Sequence, residues 1–179
     1  MLDVDIIFPV QYSKWVANLV PVQKKNGEIR LCVNFHHLNR VSVKENFPLP
    51  FMDVILQQVV GSEMMSLLDG FSGYNQVFIN PRDCYKMTTF TIRCDTYAYH
   101  RIPFGLINVG ATFQIPMHID FNDLIGFIIQ IFLDDLTVYL GKHTDHFEHL
   151  RQVFLHCRKY GISLNPNKSI FSTSEGKLL

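Results

Sequence analysis

The sequence predicts one globular domain of the α+β class, and three stretches of the 179 residues carry this prediction. Residues 128–139 place two adjacent aspartates between apolar, β-branched runs, a pattern typical of two strands joined by a tight turn. Residues 15–35 contain an Asn-Gly turn signal between two extended runs, which predicts a second hairpin. Residues 144–160 repeat apolar side chains at intervals of three and four, which predicts an amphipathic helix ended by Gly161.

The composition is that of a folded protein rather than a disordered one. Hydrophobic residues make up 47% of the chain, including 15 Phe. No apolar run reaches the roughly 20 residues of a membrane span, and the acidic N-terminus does not resemble a secretory signal. The four cysteines lack CxxC spacing, so we expect reduced thiols in an intracellular protein. The formal net charge of zero gives no general electrostatic support for binding nucleic acid.

Residues between these stretches supply the other predicted elements. They are a helix at 51–60, strands at 64–69, 77–79, 87–92 and 96–102, a turn at 80–83, a helix at 111–124, and a short strand after a turn at 165–168. Pro21 lies in the first hairpin and indicates an edge strand or a bulge. Pro116 lies inside the predicted helix at 111–124 and is expected to kink or break it.

Aspartates follow two of the apolar strands. Asp69 ends one strand, and Asp134 and Asp135 form the tip of the hairpin at 128–139. Adjacent unpaired carboxylates cannot lie in a core, because burying each charge costs several kcal/mol. Carboxylates on neighbouring strand tips can instead hold two hard cations such as Mg²⁺ about 4 Å apart, the arrangement used for phosphoryl or nucleotidyl transfer. The alternative is a hairpin turn that uses aspartate for its turn chemistry alone.

Two other clusters have competing interpretations. Lys24, Lys25 and Arg30 surround the first hairpin turn, and could either hold a phosphate or discourage pairing at a sheet edge. His143, His146 and His149 recur every three residues, a spacing that could bind zinc. Because charged residues share this part of the helix, we expect a solvated helix face and no zinc.

Several motifs occur in an order that resembles one family. They are Ser-Lys-Trp-Val, Lys-Lys-Asn-Gly, Leu-Asn-Arg-Val, Phe-Pro-Leu-Pro, Leu-Asp-Gly-Phe-Ser-Gly-Tyr-Asn-Gln, Pro-Phe-Gly-Leu-Ile-Asn, Ala-Thr-Phe-Gln, Phe-Leu-Asp-Asp and Tyr-Gly-Ile-Ser-Leu-Asn-Pro-Asn-Lys. Together they resemble the reverse transcriptase of gypsy-class long-terminal-repeat retrotransposons. The resemblance implies the fingers–palm fold of right-hand polymerases, with an antiparallel palm sheet packed against helices. Residues 1–179 would form this domain, without thumb or ribonuclease H.

The resemblance also implies roles for individual residues. Asp69, Asp134 and Asp135 would be catalytic and would bind two Mg²⁺ ions, or Mn²⁺ in their place. Six residues would bind the incoming nucleotide: Lys24, Lys25, Arg30, Tyr74, Phe104 and Gly105. Gln114 would lie near the template, and Lys168 could donate a proton to pyrophosphate. The partners would be an RNA or DNA template, a primer and a deoxynucleoside triphosphate, with no membrane.

Two functions are therefore compared. The first is RNA-directed DNA synthesis by a two-metal mechanism, which the three aspartates favour. The alternative is a catalytically silent retrotransposon remnant that retains the fold. Pro116, the zero net charge and the end of the chain before a thumb favour this alternative. On the same grounds we expect the chain by itself to extend a primer poorly.

Overall fold

A computed structural model describes residues 1–24, 27, 29–139 and 145–174. The strands within these ranges are β1 Ile7–Pro9, β2 Val16–Gln23, β3 Ile29–Val33, β4 Met65–Asp69, β5 Thr89–Thr91, β6 Thr96–Tyr99, β7 Ile129–Phe132, β8 Asp135–Tyr139 and β9 Ile170–Thr173. The helices are α1 His36–Val41, α2 Met52–Val59, α3 Pro81–Met87, α4 Val109–Asp120 and α5 His146–Tyr160, with a 3-10 helix at Gly73–Gln76. None of the described helices combines the length and apolar character needed to cross a bilayer.

The chain forms two compact units. The first unit consists of Met1–Glu45 and Tyr74–Val109, and the second of Asn46–Gly73 and Gly110–Leu179. Each unit contains one sheet together with helices, and all but one of the strand pairs are antiparallel. The predicted α+β class is therefore confirmed.

The sheet of the first unit has the strand order β1-β6-β5-β2-β3. Strand β2 pairs in parallel with β5 through Val16–Asn18, and antiparallel with β3 through Leu19–Gln23. The predicted hairpin of β2 and β3 is confirmed. The prediction that Pro21 marks an edge strand or a bulge is wrong, because β2 lies between β5 and β3 and keeps a continuous register with β3. Pro21 is tolerated because it lies opposite Leu31 in the part of β2 that pairs, among the described residues, with β3 alone. Phe35, Phe90 and Tyr99 lie in the buried core of this unit.

Residues 80–87 correct one sequence prediction. The predicted turn at 80–83 and the start of the predicted strand at 87–92 are helix α3. Asn80 is its N-cap and its side chain accepts a hydrogen bond from the Arg82 amide, while Pro81 occupies the first helical position. Asn-Pro is therefore a helix start here, because proline needs no amide partner at that position. Residues 77–79 are also not a strand, although Phe78 forms an isolated bridge with Arg101.

The sheet of the second unit has the order β7-β8-β4-β9 and two chemically different faces. Side chains alternate between the faces, and directly paired residues share a face. One face, which we call the α5 face, is mostly apolar. Its buried residues are Ser66, Leu68, Ile129, Ile131, Leu136 and Val138. The other, which we call the aspartate face, includes Leu67, Asp69, Gln130, Phe132, Asp135 and Thr137.

Two helices cover these two faces. Gln130 donates a hydrogen bond to the Gln58 side chain, which places α2 on the aspartate face. On the opposite side, His146 of α5 contacts the Ser66 hydroxyl. Helix α5 is confirmed: Asp145 caps its N-terminus by accepting from the Phe147 amide, and Gly161 ends it at a φ of 71°.

Helix α4 contradicts the expectation of a break at Pro116. The helix runs from Val109 to Asp120 with Pro116 inside it. Packing supplies the reason, since Phe113, Met117 and Phe121 are almost wholly buried along this segment. Burial of such side chains stabilises by roughly 1.5–3 kcal/mol each, which together offsets a proline cost of about 3 kcal/mol.

The histidines of α5 correct another prediction. His143 lies outside the described residues, but His146 and His149 are only 3% and 8% exposed, so this is not a solvated face. The His146 Nε2 lies 2.8 Å from Ser66 Oγ, and the His149 Nδ1 lies 3.0 Å from the Tyr139 carbonyl oxygen. Each ring thus contacts the sheet through one nitrogen, while the buried His146 Nδ1 has no hydrogen-bond partner among the described residues.

Candidate active site

Strand pairing brings Asp69 and Asp135 together in the second unit. They are direct partners in the antiparallel ladder of β4 and β8, so both carboxylates leave the same face of the sheet. Asp134 precedes Asp135 in the turn, and its carbonyl accepts a 2.9 Å hydrogen bond from the Gly70 amide. The predicted placement at the ends of adjacent antiparallel strands is confirmed for Asp69 and Asp135, whereas Asp134 lies in the connecting turn, and the convergence of the three carboxylates stays a prediction.

The turn that carries Asp134 has an unusual conformation. Phe132 and Asp135 are the last pair of the β7–β8 ladder, which leaves Leu133 and Asp134 as a two-residue loop. Leu133 has a φ of 56°, in the left-handed region where the backbone of residues other than glycine is strained. A leucine does not predict this conformation, because tight turns of this kind favour Gly, Asn or Asp at the residue with positive φ.

Gly73 makes room for the Asp134 carboxylate. A Cβ atom added at Gly73 would lie 2.9 Å from Asp134 Oδ2 and 3.3 Å from Asp134 Cβ. Gly73 also has a φ of 38°, a conformation that favours glycine. The glycine of Phe-Ser-Gly-Tyr is therefore required by its approach to Asp134, a role that the sequence analysis missed.

Lys168 contacts Asp69. Its ammonium nitrogen lies 3.3 Å from both carboxylate oxygens and donates a hydrogen bond to Oδ1. The other oxygen, Oδ2, is buried and accepts no hydrogen bond within the described part of the chain. Burying a carboxylate oxygen without a hydrogen-bond donor costs free energy, so this oxygen favours the binding of a further cation.

The segment that carries Lys168 is attached to the end of β4. The Asn165 amide donates to the Asp69 carbonyl at 2.8 Å, and the Asp69 amide donates to Ser169 Oγ at 3.2 Å. The Ser169 hydroxyl in turn donates to the Asn165 carbonyl at 2.7 Å. These contacts give the Leu-Asn-Pro-Asn-Lys-Ser stretch a specific task, which is to hold Lys168 beside Asp69. Sequence reasoning named Lys168 but missed Asn165 and Ser169.

The electrostatics of the three aspartates are unfavourable without a cation. Burial raises the pKa of Asp135, and the neighbouring charges of Asp134 and Asp69 raise it further. Lys168 lowers the pKa of Asp135, but by less than these effects raise it. Negative charge is thus concentrated at one sheet end beyond what the single lysine offsets.

The carboxylates of Asp69, Asp134 and Asp135 fit a divalent metal ion by their chemistry, although the three side chains do not already converge on one point. Carboxylate oxygens are the ligands that Mg²⁺ and Mn²⁺ prefer, and Asp69 Oδ2, which accepts no hydrogen bond among the described residues, supplies one of them. No three His, Cys, Asp or Glu side chains among the described residues already converge as a metal site. The Lys168 ammonium lies beside Asp69.

Three predicted nucleotide-binding residues lie together in the first unit. The rings of Tyr74 and Phe104 meet edge to face, with centroids 5.1 Å apart. Phe104 and Gly105 line a cavity of about 480 Å³ together with Tyr99. Gly105 has a φ of 100°, so a side chain at this position would strain the loop.

Asn39 holds the loop that carries Phe104 and Gly105. Its Nδ2 donates to the Gly105 carbonyl at 2.7 Å, and its Oδ1 accepts from the Ile107 amide at 2.9 Å. Asn108 makes a matching pair of bonds, donating to the Val43 carbonyl and accepting from the Glu45 amide, both at 2.9 Å. The asparagine of Leu-Asn-Arg-Val therefore supports the predicted nucleotide site without being part of the original prediction.

Two predictions about the first hairpin stay untested. Lys24 is exposed at the end of β2, whereas Lys25 and the Arg30 side chain lie outside the described residues. Their phosphate-binding role and the edge-protecting alternative both stay predictions.

The predicted position of Gln114 near the template stays a prediction, but the contacts of its side chain are defined. Its side chain is 0% exposed and has no surface from which to touch a ligand. It instead donates to the Ile131 carbonyl at 3.1 Å and accepts from the Leu133 amide at 2.7 Å. Gln114 thus binds the backbone of the hairpin formed by β7 and β8, which we call the aspartate hairpin.

Solved structures define the class of fold. The structure of a foamy viral protease–reverse transcriptase in complex with double-stranded DNA matches with a TM-score of 0.89 at 21% identity, covering 99% of this chain and 31% of that one. A foamy viral protease–reverse transcriptase in complex with an RNA/DNA hybrid matches with a TM-score of 0.85 at 20% identity, covering 95% and 22%. The fold is that of the fingers–palm region of reverse transcriptases, as predicted.

Residues 22–179 match the family described as "Reverse transcriptase (RNA-dependent DNA polymerase)", and the chain belongs to this family. Its members use divalent metal ions. The retrovirus-related Pol polyproteins of the Drosophila melanogaster transposons opus and gypsy are 29% and 30% identical, over 96% and 72% of this chain. The enzymatic polyprotein of cauliflower mosaic virus (strain Strasbourg) is 29% identical over 94%. The chain spans 17%, 12% and 25% of the length of these three relatives.

Proposed function

We propose that this chain is the RNA-directed DNA polymerase domain of a retrotransposon, and that Asp69, Asp134 and Asp135 hold two Mg²⁺ ions, for which Mn²⁺ can substitute. The observation that carries the proposal is the direct pairing of Asp69 with Asp135, with Asp134 adjacent, at one end of the sheet. Family membership and this geometry support the same chemistry. When bound, such a metal pair lowers the pKa of the attacking hydroxyl and stabilises the leaving pyrophosphate.

In the proposed reaction the primer 3′-oxygen forms a bond to the α-phosphorus of a deoxynucleoside triphosphate. The bond from that phosphorus to the oxygen that bridges the α- and β-phosphates breaks, so that this oxygen leaves with pyrophosphate, and the hydroxyl proton passes to solvent water. The proposed proton donor to the pyrophosphate is Lys168, and its hydrogen bond to Asp69 supports this role. Tyr74 excludes a 2′-hydroxyl by its bulk, Phe104 and Gly105 contact the nucleotide, and Lys24, Lys25 and Arg30 bind the triphosphate. An RNA or DNA template and a primer complete the substrate.

The test is incorporation of a single nucleotide, with the chain in excess over a primer annealed to an RNA template. Excess protein saturates the primer even if the duplex is bound weakly. We expect incorporation that requires Mg²⁺ or Mn²⁺ and is lost in Asp134→Asn, a variant of nearly unchanged shape. Asp53→Asn removes an exposed carboxylate from α2 of the same unit and is the matched control.

The outcome separates the two functions compared above. A folded chain that binds no divalent cation and incorporates nothing would be a silent remnant that retains the fold. Incorporation that survives Asp134→Asn would contradict the proposed site.

A further inference from the structure

Helix α4 contacts the β7–β8 hairpin at Leu133, the residue before Asp134. Gln114 accepts a hydrogen bond from the Leu133 amide at 2.7 Å. One turn earlier on the same helix face, Gly110 lies so close that an added Cβ would be 3.2 Å from Leu133 Cδ2. The Leu133 side chain therefore lies against Gly110, and the Leu133 backbone binds Gln114.

This contact supports a strained backbone. A side chain in the left-handed region costs roughly 1–2 kcal/mol, so a φ of 56° at Leu133 persists only if its surroundings enforce it. Gln114 binds on both sides of Phe132, because it also donates to the Ile131 carbonyl at 3.1 Å. Its amide therefore fixes the backbone immediately before Asp134.

We propose that Gln114 is a positioning residue for the catalytic aspartates, acting through Leu133 to set the direction in which Asp134 and Asp135 leave the turn. This inference depends on the proposed function, since it assumes that Asp134 holds a cation. Gln114 itself touches no substrate, because its side chain is fully buried and binds only backbone groups of the hairpin. Groups that orient a metal ligand typically change affinity or activity by about 10–100-fold when removed.

Two substitutions at Gln114 separate its hydrogen bonds from its volume. Gln114→Met keeps a similar volume but removes both hydrogen bonds. Gln114→Glu preserves them, since burial favours the neutral acid, which can donate and accept as the amide does. The matched control is Gln130→Met, which removes a buried amide hydrogen bond to Gln58 in the same hairpin, away from its tip.

The measurements are Mn²⁺ affinity by electron paramagnetic resonance, thermal unfolding, and single-nucleotide incorporation. We expect Gln114→Met to weaken Mn²⁺ binding about tenfold or more and to lower the incorporation rate with little change in the KM of the nucleotide. Gln114→Glu should remain within about threefold of the wild type in both, and so provides the rescue. Gln130→Met should lose thermal stability while keeping wild-type Mn²⁺ affinity.

A double-mutant cycle tests the route through Leu133. Glycine accepts a positive φ without strain, so Gln114→Met should cost less Mn²⁺ affinity in a Leu133→Gly background than alone. Equal costs in both backgrounds, or equal Mn²⁺ losses in Gln114→Met and Gln130→Met, would overturn the inference. If Gln114→Met does not fold, a Gln114→Glu variant that folds but loses Mn²⁺ affinity tenfold would overturn it as well.

Asp134→Asn is included as the reference. Loss of Mn²⁺ binding in Asp134→Asn but not in Gln114→Met would refute the positioning role alone. Unchanged Mn²⁺ binding in Asp134→Asn would refute the proposed metal site itself, so the two failures are distinguishable.

Discussion

Lys168 and Asp69 form an ion pair in which one ammonium nitrogen lies 3.3 Å from both carboxylate oxygens. The pair is asymmetric in burial, since the lysine side chain is 67% exposed and the aspartate 21%. A partner so exposed to water contributes little energy, on the order of 0.2–1 kcal/mol. The lysine can therefore give way to a cation at Asp69.

Substituting Lys168 should move metal affinity and catalysis in opposite directions. Lys168→Met removes a competing positive charge, so Mn²⁺ affinity should rise, by no more than about fivefold for so exposed a pair. Nucleotide incorporation should nevertheless fall, because the proton donor is lost. Lys159→Met, on the exposed side of α5, is the control and should change neither. Weaker Mn²⁺ binding in Lys168→Met would show that the lysine supports the site rather than competing for it.

Gly73→Ala should damage the metal site more than the fold. Its Cβ would lie 2.9 Å from Asp134 Oδ2, so the carboxylate must move, and we expect Mn²⁺ affinity to fall about tenfold or more. Gly61→Ala is the matched control, since Gly61 also has a positive φ, 89°, but an added Cβ there has nothing within 4 Å. Both variants should lose about 1 kcal/mol of stability from backbone strain. Equal Mn²⁺ affinities in the two variants would contradict a role for the Gly73–Asp134 approach.

Asn39→Asp should loosen the loop that carries Phe104 and Gly105. The carboxylate still accepts from the Ile107 amide but cannot donate to the Gly105 carbonyl, a loss of about 1 kcal/mol. We expect the KM of the nucleotide to rise severalfold in single-nucleotide incorporation.

Asn108→Asp is the control for Asn39, because it removes the equivalent donor to the Val43 carbonyl in the same unit. It should lose similar stability in thermal unfolding and leave the nucleotide KM unchanged. A rise in KM of the same size in both variants would mean that general loosening of the unit, rather than the Gly105 contact, sets nucleotide binding.

Acidification should destabilise the protein through His146. Burial lowers the pKa of His146, the neighbouring His149 lowers it further, and Asp145 opposes this. The unfolded chain therefore binds a proton at a higher pH than the folded one. The stabilising contribution is complete above the unfolded pKa of about 6.5 and is lost as the pH falls below it.

The measurement is the free energy of unfolding between pH 7.5 and 5.5. In His146→Gln the free energy of unfolding should fall less steeply with decreasing pH than in the wild type, by the slope that corresponds to at most one bound proton. His36→Gln, at an exposed position of α1, serves as the control. Parallel curves for wild type and His146→Gln would show that His146 is not the titrating group.

Local patterns predicted the elements around the site better than the contacts within it. The apolar runs on either side of Asp134 and Asp135 predicted β7 and β8, because two buried strands leave few alternatives for a short loop. The helix start at Asn80 was read as a turn, since Asn-Pro serves both structures and only the following residues decide between them. The burial of His146 could not be read from its helix, because its partner Ser66 is 80 residues away.

The same distinction applies to the predicted site residues. Asp69, Asp134 and Asp135 were found by their position after apolar strands, which is a property of the sequence itself. The roles of Gly73, Asn39 and Gln114 depend on contacts with residues that are not their neighbours in the sequence. Spacing alone does not encode such contacts, so these residues were named without a role, given another role, or omitted.

The sheet order of the second unit has a consequence for the sequence of folding events. The β7–β8 hairpin closes a loop of two residues, whereas β4 reaches β9 through the pairs Met65–Thr173 and Leu67–Ile170, about a hundred positions apart. Closing a loop of that length has a larger entropic cost and is slow compared with hairpin formation. The pair Asp134 and Asp135 is therefore expected to stand on a formed hairpin before β9 joins β4, so that the acidic residues experience their mutual repulsion before Lys168 arrives to offset it.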